Sequence, residues 1–145
     1  MGYDEHYVGS DAGSVASLPW VEQGVEDTLA EVPAQRTILA IPFYTRLWKT
    51  TGGAVTSEAI GMTEAQNVLT ENKVETVWDG SISQNYGEYE KDGSTYQIWM
   101  EDAQSIAEKS RLIPKYDLAG VAQWRLGFES NDIWSTISEN LQSAS

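Results

Sequence analysis

The chain contains no cysteine. That excludes disulfides, thiolate metal sites and cysteine nucleophiles, and it leaves the redox compartment open. Cations are scarce, with nine Lys plus Arg against 22 Asp plus Glu and a net charge of −13. Counterion release on nucleic acid needs clustered cations, so a nucleic-acid partner is not expected. Anionic membrane surfaces are disfavoured for the same reason, and the acidity reads as solubility. No apolar run approaches the roughly 20 residues of a membrane span. No signal-peptide pattern stands at Met1, and there is neither an internal repeat nor a low-complexity segment.

What the chain does have is aromatic side chains: six Trp and seven Tyr in 145 residues. Aromatics fill cores and also line sugar and peptide clefts. The length suits one domain with a sizeable core. It is short for a complete (β/α)₈ barrel, which takes about 200 residues or more. Met1-Gly2-Tyr3-Asp4 sets a phenol beside a carboxylate at what reads as the end of a buried strand, with no element before it. The expectation is that the chain starts partway through a fold.

Gly9–Ser17 is rich in small residues and reads as a loop. Ser17 and Pro19 suit a helix start, and Val21, Val25, Thr28, Leu29 and Val32 recur at helical spacing before Pro33. Thr37–Phe43 is a largely apolar run, as expected of a strand buried on both faces. Gly52-Gly53 marks a loop, and Thr63 with Gln66 predicts a capping box before a short helix. Val74–Trp78, Tyr86–Glu90 and Thr95–Met100 read as strands, the last two joined by an Asp92-Gly93 hairpin signal. Glu101 and Asp102 open a helix with Ala103, Ile106, Ala107, Ser110 and Ile113 inward, and Pro114 should end or bend it. Leu118–Trp124 is a last apolar strand. Ser130 then precedes a helix with Ile133, Trp134, Ile137 and Leu141 facing in.

The predicted class is α/β: three strand-then-helix units, with a small antiparallel α+β insertion over about residues 50–100. Ligands of such folds collect at the carboxyl ends of the strands. Tyr3-Asp4-Glu5-His6, Tyr44–Trp48 and Trp124-Arg125 all fall there, which argues for one shared cleft.

The segments Met1–Asp4, Ile41-Pro-Phe-Tyr-Thr-Arg-Leu-Trp48 and Leu118-Ala-Gly-Val-Ala-Gln-Trp124 resemble the C-terminal half of a family 18 glycoside hydrolase. Asp4-Glu5-His6, Gly13–Trp20 and Tyr96–Ala103 are similar to its bacterial spore-cortex and cell-envelope branch. The similarity runs from Met1 to about Leu141. It implies strands six to eight of a TIM (β/α)₈ barrel, residues 1–145 being a partial barrel. It also implies hydrolysis of β-1,4-linked N-acetylglucosamine polymers, peptidoglycan before chitin, with the substrate's own N-acetyl carbonyl as nucleophile. One departure dominates. The family's run of spaced aspartates ending in the proton-donating glutamate does not occur here, so the isolated segment is expected to be inactive.

By this resemblance Tyr3 matches the tyrosine that holds the N-acetyl carbonyl, and Asp4 the carboxylate beside it. Trp124 matches the indole floor under the reactive sugar. Arg46 matches an arginine on the leaving-group side, with a surface ion pair as the alternative. Trp48 and Tyr44 extend an aromatic wall or pack the core. Glu5 and His6 read as substrate contacts or as a solvated loop; one His beside acids on alternate faces is a poor metal set. Glu101 reads as a helix N-terminal acid. No cofactor is called for. The implied partners are an N-acetylglucosamine-containing polysaccharide and the missing N-terminal half of the barrel, and the implied location is a bacterial envelope, spore or exterior. Two other readings stay open: a non-catalytic, lectin-like sugar-binding module, and a half-barrel that self-associates through unpaired strand edges.

Overall fold

The computed structural model describes residues 1–142. Two sheets organise it. The first is the parallel pair β1 (Ile38–Pro42) and β7 (Gly120–Trp124), in register Ile38↔Gly120 through Pro42↔Trp124. Met1–Asp4 forms no ladder, but the Gly2 amide donates to Ala40 O at 2.7 Å, which lays this segment against β1. The three segments expected as neighbouring strands therefore lie side by side.

Helices α1 (Leu18–Leu29), α3 (Ala103–Ser110), α4 (Leu112–Lys115) and α5 (Ile133–Leu141) supply the rest of this layer. Val21, Val25, Leu39, Ile41, Phe43, Ile106, Leu112, Ile113, Ile133 and Ile137 form its core. Each fully buried aliphatic chain contributes about 1.5–3 kcal/mol of transfer free energy. These are the residues whose spacing marked the elements, because the apolar stripe of a helix and the apolar run of a parallel strand are what the core requires.

The second sheet has five strands in the order β3-β2-β6-β5-β4, all antiparallel. They are β2 (Tyr44–Thr51), β3 (Ala54–Gly61), β4 (Val77–Asp79), β5 (Gln84–Lys91) and β6 (Ser94–Trp99), with α2 (Met62–Glu71) between β3 and β4. Helix α2 packs on one face around Ile60, Ala65, Leu69, Ile98 and Met100. The β5–β6 turn puts Asp92 at φ 51° and Gly93 at φ 76°, the left-handed pair that an Asp-Gly hairpin needs.

Several expectations changed. Strand β3, Ala-Val-Thr-Ser-Glu-Ala-Ile-Gly, was not expected: it has no apolar run and is buried only at Ile60 and Gly61. Val74–Trp78 shortens to β4. The Thr63–Gln66 capping box is absent, since α2 starts at Met62 behind Gly61; the box forms instead at α3, between Asp102 and Ser105. Val32 lies outside α1. The helix breaks at Arg111, and Pro114 sits inside α4, where a first-turn position tolerates its missing N–H. Trp134 stays partly exposed with its ring edge against Phe43, centroids 5.5 Å apart.

Candidate active site

Strand β1 leads directly into β2, so the end of the parallel sheet continues into the antiparallel one. The Phe43 amide donates to Trp124 O at 2.6 Å, tying the ends of β1 and β7 together. The Met62 amide donates to Phe128 O at 2.8 Å, fastening the segment after β7 to the start of α2. Between these ties lies an open cleft of about 440 Å³, lined by Tyr3, Asp4, Tyr44, Arg46, Trp124 and Phe128 with Met1 and Ala59. Five of the residues singled out in the sequence thus meet in one place: Tyr3, Asp4, Tyr44, Arg46 and Trp124.

Asp4 adopts φ 66°, a left-handed backbone that Asp tolerates better than most residues. Its carboxylate accepts a hydrogen bond from the Tyr44 hydroxyl. Burial, and then that bond, push the Tyr44 phenol well above its ordinary pKa, so it remains a proton donor to Asp4 across physiological pH. The Tyr3 ring meets the Tyr44 ring edge-on at 6.1 Å and 74°. Arg46 Nη1 donates to Ser57 Oγ at 3.1 Å, while its buried Nε has no partner among the described residues. Part of the guanidinium's donor capacity is therefore unspent. Trp124 is 53% exposed, so its ring is open to the cleft and not part of the core.

Three other predicted residues do different work. Trp48 is 1% exposed, and its indole donates to Gly13 O at 2.9 Å. Glu5 accepts from the Ser17 amide at 2.7 Å and the Ser17 hydroxyl at 3.0 Å. It thereby caps the start of α1, a favourable place for a carboxylate. His6 Nδ1 lies 2.7 Å from Ser14 O. Together they clamp the loop 13–17 against the antiparallel sheet rather than line the cleft.

Sequence reading also missed a buried network beneath this loop. Glu101, expected as a helix N-terminal acid, is 1% exposed and paired with an equally buried Lys109 at 2.8 Å. Ser105 Oγ and Gln84 Nε2 complete the carboxylate's shell at 2.8 and 2.9 Å, and Gln84 Oε1 accepts from Ser14 Oγ. The Glu101–Lys109 spacing of eight gave no helical-pair signal, because Glu101 precedes the helix. The signal for Tyr44 was present: Tyr44, Arg46 and Trp48 alternate, and alternation puts them on one face. Among the described residues, no group of three or more His, Cys, Asp or Glu is placed to hold a metal ion.

The sequence pattern of Glycosyl hydrolases family 18 matches residues 1–129. The chain belongs to that family. Among curated relatives, it is 29% identical over 140 residues to the uncharacterized glycosylase YvbX of Bacillus subtilis, covering 94% of this chain and 40% of that protein. It is 25% identical to the cortical fragment-lytic enzyme of the same organism, covering 96% of this chain and 33% of the enzyme. Among solved structures, a chitinase from Chromobacterium violaceum superposes with a TM-score of 0.90 at 26% identity, over 98% of this chain and 44% of that one. The Bacillus megaterium spore cortex-lytic enzyme SleL gives 0.85 at 26%, over 97% and 32%. The family 18 segment described here thus spans less than half the length of each of these relatives. No helix among its described residues is long and apolar enough to cross a membrane.

Proposed function

We propose that this family 18 segment is strands six to eight, with the α+β insertion, of a (β/α)₈ glycosidase acting on β-1,4-linked N-acetylglucosamine polymers. Peptidoglycan is the preferred substrate, in keeping with a cortical fragment-lytic enzyme among the relatives. The whole protein would act at a bacterial spore or envelope, or outside the cell. The observation that carries the reading is the convergence of Tyr3, Asp4, Tyr44, Arg46 and Trp124 on one cleft.

In this scheme the sugar's N-acetyl carbonyl oxygen attacks its own anomeric carbon. The glycosidic C–O bond breaks, and the leaving oxygen takes a proton from an acid supplied outside these 145 residues. Water then reopens the oxazolinium-like intermediate, so the anomeric configuration is retained. Tyr3 donates to the carbonyl oxygen and holds the attacking conformer. Asp4, oriented by Tyr44, stabilises the positive charge that develops beside it. Trp124 carries the sugar's C–H face, and Arg46 binds hydroxyls on the leaving-group side. Glu5, His6 and Trp48 act one step back, through the loop they hold.

The test is binding without turnover. The 145-residue chain should bind an N-acetylglucosamine oligosaccharide through Trp124, lose that binding in Trp124→Ala, and show no hydrolysis of an N-acetylglucosaminide reporter. Turnover that disappears in Tyr3→Phe would refute the assignment of the acid to another part of the barrel. Failure of Trp124→Ala to change binding would refute the cleft.

A specific surface also favours self-association. A groove of about 380 Å³ between α1 and the β1 edge is lined by Met1, Trp20, Val21, Ile38 and Leu39, and Ile38 is 60% exposed. In the whole barrel the preceding strand and helix would fill it; in the isolated chain a second copy would. Sizing chromatography should then give a dimer, and a monomer at high concentration would exclude it.

A further inference from the structure

Asp4 holds a backbone that its surroundings must impose. At φ 66° it lies in the left-handed region, which an L-residue keeps only where its neighbours over-determine it. Before it, the Gly2 amide is tied to Ala40 O. After it, the next two residues are both tied to the loop 13–17. The Glu5 amide donates to Val15 O at 2.9 Å, and His6 Nδ1 donates to Ser14 O at 2.7 Å. The turn that aims the Asp4 carboxylate at Tyr44 is therefore only as firm as residues 14 and 15.

Ser14 and Val15 are buried, and what fixes Ser14 comes from the antiparallel sheet. Gln84 opens β5 with no exposed surface. Its Nε2 donates to Glu101 Oε1 at 2.9 Å and to Met100 O at 3.2 Å, and its Oε1 accepts from Ser14 Oγ. The reverse amide orientation would set its oxygen against a carboxylate and a carbonyl, so the partners leave one choice. The Ser14 hydroxyl is then the donor, and its lone pair takes the Ala16 amide at 3.1 Å. Lys109 pins the far end by holding Glu101. The result is a one-way line of donors, Ala16 to Ser14 to Gln84 to Glu101, buried throughout. Ser105 also donates to Glu101, but to the other oxygen and without reaching Ser14.

We propose that Gln84 is a positioning residue for Asp4. It carries the anchorage of the Glu101–Lys109 pair to Ser14, and so holds the Asp4 turn in the geometry that presents the carboxylate to the cleft. Gln84 itself does not line that cleft. What Asp4 does to a substrate rests on the proposed function; the hold on its backbone does not.

The test compares Gln84→Met with Ser105→Ala. Each takes a donor from Glu101 and should lower Tm, but only the first cuts the line to Ser14. In the 145-residue chain, the NMR coupling that reports φ at Asp4 should leave its left-handed value in Gln84→Met and keep it in Ser105→Ala. In the full-length protein, Gln84→Met should lower kcat on an N-acetylglucosamine oligosaccharide about ten- to a hundredfold, with KM within about twofold. Ser105→Ala should leave kcat unchanged. Ser14→Ala deletes a single hydroxyl and should repeat both effects of Gln84→Met, which keeps the test in force if the latter fails to fold. An unchanged Asp4 coupling in either cut variant, or equal losses of kcat in Gln84→Met and Ser105→Ala, overturns the inference. A shifted coupling beside a wild-type full-length protein that hydrolyses no N-acetylglucosamine polymer overturns the proposed function and leaves the hold on Asp4 standing.

Discussion

Replacing Lys109 by Met removes the cation paired with a carboxylate that is itself 1% exposed. Lys109 Nζ lies 2.8 and 3.2 Å from the two Glu101 oxygens. Removing one partner of a buried pair costs about 3–5 kcal/mol, because the other charge is left uncompensated. Ser105 and Gln84 still donate to Glu101 in the variant, so the expected loss is at the lower end, about 3 kcal/mol. A domain stability of about 5–15 kcal/mol makes that a large fraction. Urea unfolding followed by tryptophan fluorescence measures it. Burial already pushes the Glu101 carboxyl up, with Lys109 and then Ser105 opposing. Without Lys109 the opposition falls, and the folded state binds the proton more tightly than the unfolded one. The variant's stability is then greatest below the unfolded carboxylate value of about 4.3 and declines as pH rises through the raised folded value. Lys109→Met should therefore lose least near pH 4 and most near pH 7. Adding Glu101→Gln should restore part of the loss, since no buried charge remains. A loss under about 1 kcal/mol at pH 7, or a double variant no better than the single, would refute the buried pair as a stabilising one.

Tyr44→Phe removes the hydroxyl that orients Asp4 and should cost about 1–2 kcal/mol at pH 7. Because the folded phenol value is raised, its contribution is complete below about pH 10 and is lost as pH rises through the folded value. The wild-type urea midpoint should therefore fall above pH 10, and less steeply in the variant. Tyr116, raised by its bonds to Glu26 and Glu22, contributes with the same sign and keeps some slope; an unchanged slope would count against the Tyr44–Asp4 bond. Gly13→Ala would set a Cβ 2.5 Å from the His6 ring, an overpacking that should cost about 1–3 kcal/mol. Circular-dichroism melts should show His6→Ala relieving part of that cost; equal losses in the single and double variants would mean that His6 does not hold the loop.

Much of the candidate cleft was legible because α/β folds collect ligand-binding groups where the apolar runs of their strands end. Tyr3, Asp4, Arg46 and Trp124 each stand at or just past such an end, and they converge. For other polar and aromatic residues nearby the sequence left a cleft contact and a core or loop position both open. Glu5, His6 and Trp48 sit in the same stretches, yet their partners are Ser17, Ser14 and Gly13. Those partners are distant enough in sequence, or so weakly marked, that no periodicity announces them.

The sequence alone determined the α/β class, the apolar stripes of the main core, the Asp92-Gly93 hairpin and the family, because these rest on local spacing and on ordered short motifs. Tertiary structure decided which side chain meets which. It paired Glu101 with Lys109, bound Tyr44 to Asp4, recruited strand β3 and put Trp99 with Tyr86 on the face away from α2. Burial and long-range pairing are properties of the packed chain. A residue's own neighbours in sequence carry little record of them, so an acid that reads as a helix N-terminal charge turns out to be one half of a buried ion pair.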